Sequence, residues 1–392
     1  MGVAPTAGRA AGRDMSRYFV KLRFSVLASF GLLALAVVFE PAAELSWQDL
    51  SGAPFCMTLL MGTLILGAIQ GKSARLILIA QLLLLLTVIR GVLELVHLEY
   101  VVGVAGRGFW LLVGATAFAV WHVMQRFASE NPSDTFSSVL YRVLVPGLFG
   151  VWLLALWELI TVGLGVPRVL LPPPSLVGDS ISGAWGVLGA DFHQTFVRSV
   201  IPGFLIGNLA GFIAALAADR WGFLGRGLLP VGNLVSAIPI IGIAPIMVMW
   251  FGFDWQSKAA VVVIMTFFPM LVNTISGLRS SSAIELDVMR SIAASHWQSF
   301  VQVRLPNALP FIFNALKINS ALALIGAIVA EFFGTPIVGM GFRISTEVGR
   351  MNMEMVWASI AVAAVSGSIF YGLLALAERR VTFWHPSFRR LS

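Results

Sequence analysis

The sequence predicts an all-α polytopic membrane protein with about ten transmembrane helices. Hydrophobic residues make up 58% of the 392 residues and charged residues only 11%, whereas an ordinary soluble domain is about 25% charged. The mean hydropathy is +0.88, and the apolar residues come in blocks, as they do in chains that cross a bilayer. A soluble fold of this length could not bury so much apolar surface.

Because a membrane-spanning helix needs roughly 20 apolar residues, the apolar blocks can be counted as candidate spans. A cleaved signal peptide is the rival interpretation of the first block, since basic residues precede it. Its length and the many blocks that follow favour a retained helix. The candidates are 24–40, 54–70, 74–90, 108–124, 143–163, 199–218, 229–251, 259–278, 311–332 and 355–377.

The basic residues are distributed unevenly between the loops. If the N-terminus is cytoplasmic and each span crosses once, the cytoplasmic segments hold 18 Lys and Arg residues and the external segments hold 7, when Arg75 and Arg90 at the two ends of the third span are counted with the adjoining loops. Cytoplasmic loops of membrane proteins carry such an excess. We therefore expect a cytoplasmic tail at 1–23 and another at 381–392, and we assign the net charge of +7 to topology and lipid headgroups, not to a nucleic-acid partner.

A polar linker divides the chain. Residues 125–141 separate a membrane module of about four helices, 24–124, from the six later spans of 142–380. We see no internal repeat across this division, so the two parts are predicted to be separate modules.

Motifs of common enzyme classes are absent from the sequence. It contains no G-x-x-x-x-G-K-[ST] loop for ATP, no H-E-x-x-H and no G-x-S-x-G. The histidines are scattered and there is a single cysteine, which excludes an intrachain disulfide and a cysteine-based metal cluster. We predict no catalytic residues, no cofactor and no metal, and hence a chain that is not itself an enzyme.

Residues 285–310 form a polar loop whose pattern is helical. A partly apolar face is predicted from the spacing of Val288, Ile292, Ser295 and Phe300, and Trp297 and Val301 extend it. Pro306 is predicted to end this segment before the next span. A short surface helix of this kind either docks into a groove of another protein or packs on lipid headgroups, and the residues alone do not choose between the two.

This loop resembles the EAA loop of binding-protein-dependent ABC permeases, whose pattern is E-A-A, three residues, G, nine residues and I-x-L-P. Asp287–Val288–Met289 stand at the E-A-A positions, Ala293 at the glycine, and Val303–Pro306 at I-x-L-P. Asp287 is expected near the start of a short helix, where its charge suits the helix dipole. The resemblance implies an ATPase-coupling loop, with these site residues: Asp287, Ala293, Ser295, Trp297, Val303, Leu305 and Pro306.

Four further segments are similar to this family in the order in which they occur. The similarity covers roughly residues 140–380 and is closest to six-span permeases that import nitrate, alkanesulfonates, taurine and thiamine or pyrimidine precursors. Residues 1–130 match no family pattern. The segments are Trp157–Glu158, Leu170–Pro172 with the Pro-Pro-Ser that follows, Trp250–Phe253, and Val329–Glu331 followed by Gly339–Gly341.

The resemblance implies a six-helix type I ABC importer permease core at the C-terminal side. It further implies a permease homodimer, separate ABC ATPase subunits, an external substrate-binding protein and a location in the bacterial inner membrane. An ion-coupled secondary transporter is the alternative function. That alternative requires inverted repeats with broken helices and buried carboxylates, and the sequence shows no such repeat.

Three ionisable residues fall within or at the end of predicted spans. Burying a lone charge in a bilayer costs about 2.5–3.5 kcal/mol on insertion scales. Glu158, Lys317 and Glu331 are therefore candidates for the translocation path. The structural alternatives are that Glu158 lies near the headgroups, that Lys317 extends its amine to the interface, and that Glu331 marks the end of its span.

Small residues and prolines also mark the core spans. Gly203, Gly207, Gly211 and Ala215 form a stripe that favours close helix packing. Three prolines are predicted to bend their helices: Pro239, Pro245 and Pro269.

Overall fold

The computed structural model describes residues 24–42, 46–48, 50, 52–68, 74–99, 101–129, 135–236, 238–334 and 337–384. These residues are mainly helical, and within them a single β-bridge joins Ala42 to Ala105. The predicted tail 1–23, residues 385–392 of the C-terminal tail, and 130–134 of the linker lie outside them. The described residues fall into two compact units, divided between Leu176 and Val177.

The first unit has one hydrophobic core, in which α3 packs against α2, α4 and α5. At one end of this unit, Gly106 N donates to Pro41 O (2.6 Å) and Gly103 N donates to Val162 O (3.0 Å). The loops that follow α1 and α3 therefore lie beside the end of α5. Helices that cross a membrane in alternating directions require this arrangement. The helices are α1 (Phe24–Val38), α2 (Ala53–Ala68), α3 (Ala74–Val96), α4 (Arg107–Ser129) and α5 (Thr135–Gly163), followed by α6 (Pro174–Gly183), which continues past the division.

In the second unit, α10 lies between α7 and α12 and packs closely against both. The helices α7 and α12 have 36 residues each, which corresponds to about 54 Å and exceeds the roughly 30 Å of a bilayer core. The helices are α7 (Trp185–Arg220), α8 (Gly222–Ser236), α9 (Ile240–Phe251), α10 (Trp255–Leu278), α11 (Ala283–Ser291), α12 (His296–Glu331), α13 (Met340–Gly349) and α14 (Met353–Val381).

The predicted small-residue stripe of α7 packs against α10. A Cβ atom added to Gly203, Gly207 or Gly211 would lie closer than 3.0 Å to backbone atoms of α10. Only glycine allows this approach, which gains dispersion contacts that lipid cannot replace. The stripe has the packing role that the sequence favoured.

The fold class predicted from the sequence is confirmed. Among the described residues, seven helices are long and apolar enough to cross a membrane. The predicted spans 24–40 and 54–70 correspond to shorter apolar helices, so the count of ten is approximate. The seven are Leu76–Val96, Arg107–Ser129, Val139–Gly163, Trp185–Arg220, Trp255–Leu278, His296–Glu331 and Met353–Val381.

The prediction of one continuous helix over 229–251 is wrong, because α8 and α9 take its place. Pro239 is extended, with φ −60° and ψ 125°, and it precedes the first residue of α9. A proline also disfavours helical geometry in the residue before it. Pro239 thus ends the helix instead of bending it, whereas Pro245 and Pro269 lie inside α9 and α10.

Two contacts fix the directions of the core helices. Asp219, near the end of α7, forms a 2.7 Å ion pair with Arg304, in the first part of α12. Gln194, in the first part of α7, donates to Asp254, just before α10 (3.2 Å). Hence α7 and α10 run parallel to each other, and α12 runs antiparallel to both. Between α7 and α10, the helices α8 and α9 lead the chain back to the end where α7 begins. We call the two ends of this unit the Arg304 end and the Glu331 end.

Candidate functional site

The loop at the Arg304 end begins with a capped helix. Glu285 N donates to Ser282 Oγ (3.2 Å) and Ser282 N donates to Glu285 Oε2 (3.0 Å), which is a capping box for α11. The acidic residue in the first turn is thus Glu285. The expectation that Asp287 starts the helix is wrong: it lies in the second turn and pairs with Arg290 (2.9 Å) on the exposed surface.

Ala293, at the position of the family glycine, turns the chain after α11. Its φ is +52°, in the left-handed region that glycine occupies without strain. Ala293 N donates to Arg290 O (2.9 Å) and Ala294 N donates to Met289 O (3.0 Å). These two bonds form the Schellman motif, which usually has glycine at this position. The bend is therefore kept with alanine, at a cost in backbone strain.

A second capping box starts α12. Gln298 N donates to Ser295 Oγ (3.2 Å), and Ser295 N donates to Gln298 Oε1 (2.7 Å). The helix then continues through Val303, Leu305 and Pro306, which are half-buried. The predicted break at Pro306 is wrong, because a π-helical turn at Phe300–Arg304 precedes the proline. Such turns absorb local irregularity without ending a helix.

Besides Val301, which is 42% accessible, four large apolar side chains on this loop are exposed. They are 56–77% accessible, and the first three recur at a spacing of four residues along α11 and its end. Phe300, predicted on this face, is instead buried and stacks beneath Trp297, with ring centroids 5.5 Å apart. We call the four residues the loop face: Ile284, Val288, Ile292 and Trp297.

The loop is fastened to the helices below it by polar contacts. Arg304 donates two hydrogen bonds to Asp219, 2.9 Å and 2.7 Å long, and a third of 3.3 Å to Leu278 O. Asn307 donates to Glu285 Oε2 (2.8 Å). Sequence reasoning missed Arg304 and Asp219 as partners, because 85 residues separate them. One indication that Arg304 is important was present in the sequence: it lies within Val303–Pro306, the segment that resembles the family pattern.

At the Glu331 end, three consecutive backbone amides have side-chain acceptors. Gly339 N donates to Asp191 Oδ1 (2.8 Å), Met340 N to Thr195 Oγ1 (2.8 Å) and Gly341 N to Glu331 Oε2 (2.7 Å). The Thr195 hydroxyl in turn donates to Glu331 (2.8 Å). Asp191, Thr195 and Glu331 are 0%, 0% and 2% exposed, so this cluster is buried.

A buried lysine at the same end of the core contacts another segment that resembles the family. Lys258 is 1% exposed, and its Nζ donates to Phe253 O (2.6 Å), in the segment Trp250–Phe253. A Cβ atom on Gly334 would lie 2.6 Å from the Phe253 ring, just beyond Glu331. Two of the four segments that resemble the family, Trp250–Phe253 and the segment that runs from Val329–Glu331 to Gly339–Gly341, thus meet here. Sequence reasoning placed Lys258 in an external loop, because its charge ended the apolar block.

Glu158 and Lys317, the other candidates for a path, both have polar partners. Glu158 is 5% exposed and accepts from Ser175 N (2.9 Å) and Ser175 Oγ (2.7 Å), while His97 Nε2 lies 2.8 Å away. Lys317 pairs with Glu378 at 2.7 Å. Both charges are therefore offset by neighbours in this conformation.

Comparison with known proteins decides the family. Residues 207–383 match the family described as binding-protein-dependent transport system inner membrane component. The chain is 31% identical over 241 residues to the riboflavin transport system permease protein of Chloroflexus aurantiacus, covering 60% of this chain and 88% of the relative. The chain belongs to this family of ABC transporter permeases.

Two further relatives of the permease come from different bacteria. It is 29% identical over 244 residues to the formylaminopyrimidine transport permease protein of Halalkalibacterium halodurans, covering 62% of this chain and 97% of that protein. It is 29% identical over 250 residues to the taurine transport system permease protein of Escherichia coli, with coverages of 61% and 88%. The family predicted from the sequence is confirmed. The matched range 207–383 includes the loop face and Glu331.

Proposed function

We propose that this permease is the membrane subunit of an ABC importer and that its loop face docks into a separate ATPase. The observation that carries the proposal is the exposure of Ile284, Val288, Ile292 and Trp297 on a loop whose two helices each begin with a capping box. Apolar side chains at helical spacing suit a groove on a partner protein. ATP hydrolysis is then the work of the partner, and the relatives are themselves transport permeases.

The contacts beneath the loop face provide a route for coupling. Arg304 links the start of α12 to Asp219 on α7 and to the end of α10. A displacement of the loop by the ATPase is thereby passed to the three helices that form the core. Ala293 and Ser295 shape the loop and Asp287 lies on its exposed surface, while Val303, Leu305 and Pro306 lie in the first part of α12 and continue the loop into the core.

The proposed assembly places the Arg304 end in the cytoplasm of a bacterium, with both termini on the same side of the inner membrane. The Glu331 end then faces an external substrate-binding protein, and two permease copies enclose the path. The core comprises 142–380, preceded by the module 24–124 and the linker 125–141. Three residues are candidates for shaping the path: Glu158, Lys317 and Glu331. Each has polar partners, so it would act as part of a bonded group and not as a lone charge.

Cysteine labelling tests this orientation. In a Cys56→Ala background, Ala283→Cys and Ser387→Cys are expected to react with a membrane-impermeant maleimide only after the membrane is opened, since the cytoplasmic loops carry the basic residues. Ser345→Cys, on an exposed position of α13 at the Glu331 end, is the matched control and should react in intact cells. Labelling of position 283 in intact cells would contradict the proposed orientation.

A further inference from the structure

We propose that Asp191, Thr195 and Glu331 are positioning residues that hold α13 in one register across the outer end of the permease core. The assignment of this end to the external side rests on the proposed function, whereas the contacts themselves do not. The transport role follows from where α13 lies, since it joins the end of α12 to the start of α14 at the Glu331 end.

The start of α13 is held by side chains from two other helices. The amides of Gly339, Met340 and Gly341 belong to the first turn of α13, where no intrahelical acceptor exists. Each is bound by a side chain from another helix, at 2.7–2.8 Å. Two of the acceptors are carboxylates, whose charge suits the positive end of a helix dipole. The three side chains thus fix both the position and the rotation of α13.

The turn at the start of α13 has no room for another arrangement. A Cβ atom on Gly339 would lie 2.7 Å from the carboxylate atoms of Glu331, and one on Gly341 would lie 2.9 Å from Glu331 Cβ. The φ of Gly339 is +140°, which few residues besides glycine adopt. The glycines are therefore required by the approach of the turn to Glu331.

The rest of α13 is fastened in two ways: Arg343 binds the same cluster, and Glu347 binds the turn that follows the helix. Arg343 Nε donates to Asp191 Oδ2 (2.8 Å), and Glu347, which is 5% exposed, accepts from Arg350 (3.2 Å) and Asn352 (3.0 Å). On α10, the buried Lys258 adds a positive charge at this end of the core, and its Nζ donates to Phe253 O (2.6 Å). Asp191 and Arg343 form an ion pair between α7 and α13, and the Asp191 carboxylate is buried, so a shift of α13 would leave it without this partner.

A pair of Thr195 variants tests the proposal. Thr195→Val keeps the shape of the side chain but removes both the donor to Glu331 and the acceptor for Met340 N. Hydrogen exchange of the full-length permease in nanodiscs should then show the amides of 339–341 exchanging roughly tenfold to hundredfold faster. Thr195→Ser keeps the hydroxyl and should match wild type. The capped amides of Glu285 and Gln298, at the Arg304 end, should be unchanged in both variants.

The same variants, assembled with the partner ATPase, test the positioning role. We expect Thr195→Val to lower the kcat of ATP hydrolysis severalfold with the KM for ATP unchanged, and Thr195→Ser to restore it. Wild-type exchange and kcat in Thr195→Val, or equal losses in both variants, would overturn the proposal. If wild type itself does not activate an ATPase, the proposed function fails, while the exchange measurement still decides whether the cluster holds α13.

Arg343→Lys provides a second variant if Thr195→Val does not accumulate. Lysine keeps the charge but cannot reproduce the 2.8 Å and 3.5 Å pair of contacts that Arg343 makes with Asp191. The amide of Gly339 should exchange faster, because Asp191 loses the partner that orients it. Unchanged exchange at Gly339 would show that α13 is held by other contacts and would overturn the proposal.

Discussion

Arg304→Met is expected to destabilise the permease by about 3 kcal/mol and to uncouple ATP hydrolysis from transport. The change removes both hydrogen bonds to Asp219, whose side chain is only 12% exposed, and leaves that carboxylate without its partner. It also releases the carbonyl of Leu278 at the end of α10. The measurements are thermal unfolding in nanodiscs and the ratio of substrate moved to ATP hydrolysed.

Arg290→Met is the matched control for this experiment. Arg290 pairs with Asp287 on the same loop, but both side chains are exposed, at 78% and 65%. Exposed pairs contribute about 0–1 kcal/mol, so this variant should unfold and couple like wild type. Equal effects of the two substitutions would mean that Arg304 does not fasten the loop.

Trp297→Ala is expected to weaken binding of the ATPase by about 2 kcal/mol, or about thirtyfold in Kd. The side chain is 70% exposed in the permease alone, so its removal should change binding far more than folding. Ala293→Asp should act in the same direction, because it places a charge without a partner in the contact. Co-purification of the ATPase, normalised to the amount of permease, measures both effects.

Ala293→Gly is the control on the same turn. Since Ala293 has a φ of +52°, glycine relieves strain there and should leave ATPase binding at the wild-type level, with stability equal or slightly raised. If Trp297→Ala and Ala293→Asp retain the ATPase as well as this control does, the loop face is not the contact.

Spacing along the chain predicted much of the loop at the Arg304 end. The resemblance placed a glycine position at residue 293, and the structure gives its physical reason, the left-handed end of a helix. It could not show that Glu285 takes the first turn of α11, because the pattern aligned Asp287 instead. The capping signature Ser282-x-x-Glu285 was present in the sequence and would have located the helix start.

Hydropathy alone could not predict the remaining features. The hydropathy averaged over windows within 229–251 stays high, so it did not reveal that Pro239 divides the segment into two helices. Lys258 lies in the first turn of α10. From the sequence, its charge favoured a loop, although the residue is 1% exposed. The Asp191–Thr195–Glu331 cluster joins residues more than 130 apart. Such pairs leave no periodic signal in a single sequence.

Photo-crosslinking from the loop face tests the central claim most directly. A benzophenone amino acid placed at Val288, which is 56% exposed on α11, should form a covalent product with the partner ATPase in native membranes. The same group at Ser345 on α13, at the opposite end of the core, should form no such product. An ATPase adduct from position 345, or lipid adducts alone from position 288 in an assembled transporter, would contradict the account.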